Sequence, residues 1–278
     1  MAAAAEKTAD IAQLKEQARR LRVKIVKMLA ESGSGHTGGS LSAADMVTAL
    51  YFYKMRHRAD DPKWPERDRF ILSKGHAAPV LYAALALAGY IDRSLLGNLR
   101  KIGCPLQGHP SSKQLEGVEV STGSLGQGLS IANGIALGLR LDRTPARVYC
   151  LMGDGETQEG QIWEAAMSAG HYRLDNLCAL VDLNSLQIDG RCEDVMRIDP
   201  VAAKWQAFGW HTIEIDGHDM QEIVAALDAA EAYQGKPTVI LARTIKGKGV
   251  SIFEDKVEFH GVTPNKDELA IALQELGE

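Results

Sequence analysis

Hydrophobic positions along the chain fall into two patterns that alternate. Five short apolar runs typical of buried strands occupy residues 70–73, 147–152, 177–183, 211–216 and 238–244. Stretches with helical spacing lie between them, at about 77–88, 127–140, 159–171 and 219–234. This alternation predicts an α/β fold, a mostly parallel sheet of about five to six strands sandwiched by helices. We expect a single domain over residues 1–278, with an amino-terminal helix and a carboxyl-terminal helical tail.

Both ends of the chain add helical patterns outside the strands. Residues 11–32 carry apolar side chains at helical spacing and predict an opening amphipathic helix. The stretch "LSAADMVTALYFY" predicts a second helix, with Ser42 as its cap. The ending "TPNKDELAIALQELGE" predicts a last helix, which Asn265 and Asp267 can cap. Such a coherent ending favours a natural subunit over a truncated chain.

Charge and composition exclude several classes of protein. The formal net charge is -5, only 6% of residues are aromatic, and no Lys/Arg run dominates, so we expect no nucleic-acid partner. The beginning of the chain lacks a signal-peptide pattern, and no uncharged apolar stretch could span a membrane. The four cysteines form no C-x-x-C pair. These features predict a reduced, cytoplasmic protein that does not insert into membranes.

Polar, glycine-rich segments follow the predicted strands and should meet at one edge of the sheet. Asp154 stands between Gly153 and Gly155, directly after a predicted strand. The turn could simply cap the following helix with an aspartate. The alternative is a carboxylate ligand for a hard divalent cation that also holds phosphates, with Asn184 at the end of the next strand as a second ligand. An EF-hand is excluded, because its required glycine and final glutamate are missing.

Several ordered motifs resemble the amino-terminal half of transketolase, from about Leu21 to His260. They include "SGHTGG", "RFILSKGHAAP", "GHPSS", "STGSLGQGLSIANG", "GDGETQEGQIWEAAMSAGH", "LVDLN" and "TIKGKG", followed by "FHG". The set is far more specific than Gly-Asp-Gly alone. The resemblance implies a fold that binds thiamine diphosphate with Mg²⁺, or with Ca²⁺ or Mn²⁺ in its place. It also implies transfer of a two-carbon ketol unit from a ketose phosphate to an aldose phosphate.

The resemblance assigns roles to individual positions of this sequence. Metal ligands would be Asp154, the Asn184 side chain and the backbone carbonyl of Leu186. Cofactor contacts would come from His76, Gly123, Ser124, Leu125, Gly153, Gly155, Asn184 and Lys246. Catalytic residues would be His36 and His260, for proton transfers at substrate hydroxyls, and His109, which would hold the two-carbon unit. The chain departs from many relatives at Thr37, where they have proline, and at Ser111, where they have glutamate.

The resemblance also implies a partner chain. The second half of transketolase supplies the glutamate that activates the cofactor, and this sequence shows no second series of strands and helices. We therefore expect the partner to be a carboxyl-terminal, pyrimidine-domain subunit, in a heterotetramer of two plus two chains with cofactor at each interface.

Two glutamates after the Gly-Asp-Gly turn have two explanations. Glu159 and Glu164 could lie on a solvated helix face, near the positive end of the helix. In the family, acidic residues here lie at the interface between two active sites, where adjacent buried carboxylates share a proton. The remaining histidines match no catalytic motif and are predicted to be structural: His57, His171, His211 and His218.

The sequence is compatible with other functions. Another two-chain thiamine-diphosphate enzyme, such as a 2-oxo acid dehydrogenase with its α subunit, would share the metal motif but not the histidine motifs. A transketolase specialised for an unusual phosphosugar or sulfosugar would share all of them. From a different class, the chain could be a non-catalytic module, either a nucleotide-binding α/β protein or a regulatory partner. A catalytically dead relative would be expected to lose Asp154, Asn184 or the histidines, and none of them is lost. The donor and acceptor sugars are not encoded in recognisable motifs.

Overall fold

The chain is built around a parallel sheet, seen in a computed structural model that describes residues 8–278. Residues 1–7, at the start of the predicted domain, lie outside the described part. The strands of the sheet are β1 (Arg69–Leu72), β2 (Val148–Gly153), β3 (Leu177–Leu183), β6 (His211–Asp216) and β7 (Thr238–Arg243), and a separate antiparallel ribbon contains β4 (Leu186–Gln187) and β5 (Gly190–Arg191). The strand order in the sheet is β1-β2-β3-β7-β6, with every neighbouring pair parallel. The predicted α/β fold is confirmed.

Helices cover both faces of this sheet. They are α1 (Ile11–Ser32), α2 (Gly38–Ser42), α3 (Ala44–Ala49), α4 (Ala78–Leu87), α5 (Gln127–Leu141), α6 (Gly160–His171), α7 (Cys192–Val195), α8 (Val201–Ala207), α9 (Met220–Ala232) and α10 (Lys266–Glu275). Successive side chains of β2 point to opposite faces. Tyr149 and Leu151 join the core beneath the helices α1, α3, α4 and α9, while Cys150 and Met152 join the core beneath α5 and α6.

The predicted second helix is broken in the structure. Residues 38–49 form two short helices, α2 and α3, and a π-helical turn continues over Leu50–Lys54. Ser42 is the last residue of α2 rather than a cap, so that prediction was wrong. Its buried hydroxyl instead donates to Asp182 Oδ2 at 2.6 Å, because the sheet presents a buried carboxylate there.

The first and last helices have side-chain caps. Asp10 accepts a hydrogen bond from the Gln13 backbone N–H at the start of α1. Asn265 forms a capping box with Glu268 at the start of α10, as the sequence predicts for Asn265. Asp267 is not a cap, since it lies inside the first turn and donates its own N–H to Asn265.

The carboxyl ends of β2, β3 and β7 meet at one edge of the sheet. Gly153 lies opposite Asp182, and Leu183 lies opposite Arg243. The segments that follow these strands are therefore brought together. No helix within residues 8–278 is long and apolar enough to cross a membrane. All four cysteines are buried free thiols.

Candidate active site

A cleft at this edge gathers most of the chemistry predicted from the sequence. Its cavity has a volume of about 360 Å³. Predicted residues among its lining are His36, His76, His109, Gly123, Leu125, Gly153, Asp154, Gly155, Glu159, Asn184, Leu186, Lys246 and His260. Ser124 and Glu164 are not among the residues that line it. The cleft thus draws on several segments that are far apart in the sequence.

The Gly-Asp-Gly turn presents a buried carboxylate. Asp154 accepts hydrogen bonds from the backbone N–H groups of Gly155 at 2.7 Å and Ser185 at 2.5 Å. Burial, and then the neighbouring Asp182 carboxylate, raise the pKa of Asp154 to about 6. A cation bound at this turn would stabilise the ionised carboxylate and reverse that shift.

Oxygen atoms suited to a hard cation lie around Asp154. The side chain of Asn184 is buried, and its Oδ1 accepts the Leu186 N–H at 3.2 Å. The carbonyl oxygen of Leu186 accepts from the Lys246 ammonium at 3.1 Å, so a metal ion that used this oxygen would have to share it with the ammonium or replace it. Residues 8–278 contain no cluster of three or more His, Cys, Asp or Glu side chains that could hold a metal. One carboxylate with amide and carbonyl oxygens suits Mg²⁺, which keeps water and phosphate ligands.

Four histidines face one another across the cleft. The ring of His36 lies 5.2 Å from that of His76, 5.6 Å from that of His260 and 6.4 Å from that of His109, measured between centroids. Burial lowers the pKa of all four imidazoles. The pKa is about 4 for His36 and about 3 for His260. Neutral imidazoles can donate and accept protons at different ring nitrogens near pH 7.

Lys246 fixes the tautomer of one histidine. Its ammonium group donates to Nδ1 of His260 at 2.7 Å. Because Nδ1 accepts, neutral His260 carries its proton on Nε2. Burial, and then the nearby Lys74 charge, lower the pKa of Lys246 to about 8.

Close packing explains the first glycine of the Gly38-Gly39 pair in "SGHTGG". A Cβ atom on Gly38 would lie 2.8 Å from Cγ of Lys246 and 3.1 Å from the carbonyl oxygen of Phe259. The Gly38 carbonyl also accepts the Gly247 N–H at 3.1 Å. Thr37, one of the departures from relatives, donates its buried hydroxyl to the Val262 carbonyl at 2.6 Å. The segment carrying His36 is therefore fastened to both segments carrying Lys246 and His260.

Three buried charged residues of the site escaped the sequence analysis. Lys74 forms a short ion pair with Asp182, which also accepts from Asn184 Nδ2 at 3.2 Å. Glu156, two positions after Asp154, is only 3% exposed. An available signal was the charged residue inside the apolar run "LCALVDL", since such a residue needs a partner when buried.

The two glutamates predicted to share a proton are exposed in this chain alone. Glu159 immediately precedes α6, and Glu164 lies on it. The histidines predicted to be structural lie outside the cleft lining. His57 contacts the Tyr51 carbonyl, and His211 stacks on Tyr233.

Comparisons with known proteins point in one direction. The family model described as "Transketolase, thiamine diphosphate binding domain" matches residues 13–278. A 6-deoxy-6-sulfo-D-fructose transketolase subunit from Clostridium sp. (strain MSTE9) is 47% identical, and the match covers 95% of this chain and 96% of that protein. One of the subunits of an apulose-4-phosphate transketolase from Phocaeicola vulgatus is 40% identical, covering 97% of this chain and 95% of that protein.

Longer proteins match over only part of their length. Transketolase from Mus musculus is 45% identical over 95% of this chain, which spans 42% of the mouse protein. The crystal structure of transketolase from Campylobacter jejuni superposes with a TM-score of 0.91 at 35% identity. That match covers 97% of this chain and 43% of the solved chain.

Proposed function

Because this chain belongs to the transketolase family, as a thiamine diphosphate binding domain, we propose that it is the amino-terminal subunit of a split transketolase. It would transfer a two-carbon ketol unit from a ketose phosphate to an aldose phosphate when joined to a partner chain. The observation that carries the proposal is the cleft, where the Gly-Asp-Gly turn and four histidines face one cavity. Relatives of matching length that are named transketolase subunits support the split arrangement.

The oxygen donors of the cleft support a cation site. In the proposal, Asp154, the Asn184 side chain and the Leu186 carbonyl bind Mg²⁺, or Ca²⁺ or Mn²⁺ in its place. His76, the segment 123–125, the glycines on either side of Asp154 and Lys246 contact thiamine diphosphate. When bound, this cofactor supplies the nucleophilic carbon needed to break and form carbon–carbon bonds.

The histidines are proposed to handle protons and oxygen atoms of the substrate. His36 and His260 take protons from substrate hydroxyls and return them, which suits imidazoles that are neutral near pH 7. His260 would donate a hydrogen bond through Nε2 while Lys246 holds its Nδ1, and it would take a proton at Nδ1 only after that bond gave way. His109 would donate to an oxygen of the two-carbon unit.

The assembly is part of the proposal. We place one diphosphate-binding domain over residues 1–278 and a pyrimidine-domain subunit beside it, in a heterotetramer of two plus two chains. Glu159 and Glu164 would share a proton at the interface between copies, and their exposure on this chain leaves them available for burial by another. The four free thiols are consistent with a reducing, cytoplasmic location.

A specialised sugar is the second candidate. The relative with 47% identity over nearly the full length of both chains is named for a sulfosugar, and another is named for apulose 4-phosphate. Transfer assays with this chain should therefore include a ketose phosphate and a 6-sulfonated ketose as alternative donors.

Calorimetry with thiamine diphosphate and Mg²⁺ tests the proposal. We expect tight binding only when this chain is mixed with a candidate pyrimidine-domain partner, together with ketol transfer by the mixture. Asp154→Ala should weaken binding at least about 10-fold, the loss typical of a disturbed metal site. Asp60→Ala is the matched control, because its carboxylate is 76% exposed. Absence of cofactor binding with a partner that does associate would refute the proposal.

A further inference from the structure

Glu156 is a buried acid whose role is not explained by metal binding or by proton transfer. It lies in the 3-10 turn that follows Asp154, and its side chain accepts three hydrogen bonds. Oε1 accepts from the Ser73 hydroxyl at 2.5 Å and from the Gly126 backbone N–H at 2.9 Å. Oε2 accepts from the Gly153 backbone N–H at 3.0 Å. Both carboxylate oxygens are thus occupied by donors from other positions.

These donors belong to three segments that carry proposed cofactor contacts. Ser73 begins the segment that leads to His76, and Gly126 directly follows the segment 123–125. Gly153 is the first glycine of the turn that holds Asp154. One side chain therefore joins three segments that are distant in sequence but adjacent at the edge of the sheet.

Helix α5 packs closely against the segment that begins at Ser73. A Cβ atom on Gly128, in the first turn of α5, would lie 2.3 Å from the Ser73 hydroxyl oxygen. Helix α5 can approach Ser73 only because that position is glycine. The hydroxyl is thereby held where it can donate to Glu156.

Burial raises the pKa of Glu156, and the ionised carboxylate is stabilised against it by the Ser73 hydroxyl and the two backbone N–H groups, with the nearby Lys74 charge as a smaller contribution. Within residues 8–278 Glu156 forms no salt bridge, and Gly126, one of its donors, is the N-cap of α5. The positive end of a helix and backbone N–H groups stabilise a carboxylate in the absence of a direct ion pair. An uncharged side chain of the same shape would leave one buried N–H without an acceptor.

We propose that Glu156 is a positioning residue that fixes three segments relative to one another before the cofactor binds: those carrying His76, residues 123–125 and Asp154. The inference rests on the proposed function for the identity of the ligand. Glu156 would raise the affinity for the cofactor by holding the site in its binding geometry, although both of its carboxylate oxygens accept hydrogen bonds from protein groups.

The test compares Glu156→Gln with the wild-type chain, each mixed with the same partner. Calorimetry with thiamine diphosphate and Mg²⁺ should give a dissociation constant raised about 10-fold, the effect of one unmade hydrogen bond to a charged group. Amide hydrogen exchange of the cofactor-free chain should be faster at Gly126 or Gly153. Ser73→Ala keeps the carboxylate and both backbone bonds, so we expect a rise of only about 2- to 3-fold.

Asp68→Asn is the matched control for a merely structural effect. Asp68 is also buried and accepts hydrogen bonds from the backbone N–H groups of Arg56 and Arg147, at 2.8 Å each. It precedes β1 and therefore lies at the amino ends of the strands, away from the cleft at their carboxyl ends. This variant should lower the unfolding temperature and leave the dissociation constant of the cofactor unchanged. If Glu156→Gln behaved like Asp68→Asn, the positioning role would be refuted.

Two further outcomes separate this inference from the proposed function. If Glu156→Gln failed to fold, unchanged cofactor affinity in Ser73→Ala would count against the inference, and weakened affinity would support it. If the wild-type mixture bound no thiamine diphosphate, the proposed function would be refuted. Exchange at Gly126 and Gly153 would then still decide whether Glu156 holds the segments together.

Discussion

The histidines of the cleft are kept neutral mainly by burial, and this has a consequence for stability. Burial lowers the pKa of His36 from 6.5 to about 4, with Arg100 as the next contribution, and the pKa of His260 to about 3. The unfolded chain therefore binds protons at a higher pH than the folded chain. We predict that the free energy of unfolding falls as pH drops from about 6.5 to about 4. Urea denaturation across this range measures the effect.

A single substitution separates this contribution from general acid denaturation. His36→Gln removes one titrating ring, so its stability should fall less steeply with pH than that of the wild type. His171→Gln is the control for the loss of an imidazole, because that histidine is exposed at the end of α6 and lies outside the cleft. Equal slopes for wild type and His36→Gln would show that His36 is not held neutral in the folded chain.

At the scale of elements, a histidine outside the cleft anchors the loop after β7. The Ile245 backbone N–H donates to Nε2 of His218 at 2.8 Å, and Nδ1 of His218 lies 2.8 Å from Asp45 on α3. Arg22 of α1 pairs with the same aspartate. We predict that His218→Ala lowers the free energy of unfolding by about 1–3 kcal/mol, because the bond to this loop is lost. Urea unfolding near neutral pH gives the value.

The same network should influence the cofactor site, because Lys246 follows Ile245 in the loop. His218→Ala should therefore also weaken thiamine diphosphate binding in the assembled protein. His171→Ala, an exposed position, should change neither quantity. A normal free energy of unfolding in His218→Ala would mean that the loop is held by other contacts.

The sequence predicted helices and strands correctly where the spacing of apolar residues along the chain determines the element. The strands at 177–183 and 211–216 and the helix at 11–32 have the predicted bounds. Ser42 was misassigned because a Ser near a helix start resembles a cap, while its partner, Asp182, is distant in sequence. The positions of the candidate site residues followed from strand ends and motifs. The role of Glu156 depends on contacts between segments that no local pattern encodes, whereas the charge of Asp182 inside an apolar run was a local signal.

At the scale of the whole molecule, α6 presents an exposed face suited to the proposed assembly. Met167 is 59% exposed on this helix, and Glu164 lies one turn before it. If two copies bury this face against each other, an added carboxylate would place like charges in a region of reduced water access. We predict that Met167→Asp causes the heterotetramer of two plus two chains to dissociate into smaller species. Sedimentation velocity with the partner present measures this change.

Ile271→Asp is the matched control for this substitution. Ile271 is 40% exposed on α10, so its replacement by aspartate introduces the same charge at an exposed apolar position on another helix. This variant should assemble like the wild type, because α10 packs on α1 rather than beside α6. Glu164→Gln adds a second comparison, since removing a shared proton site should alter the pH dependence of assembly without adding a charge. Unaltered sedimentation of Met167→Asp would mean that the copies contact each other through a different surface. Proton sharing between Glu159 and Glu164 at an interface formed by α6 would then lose its support.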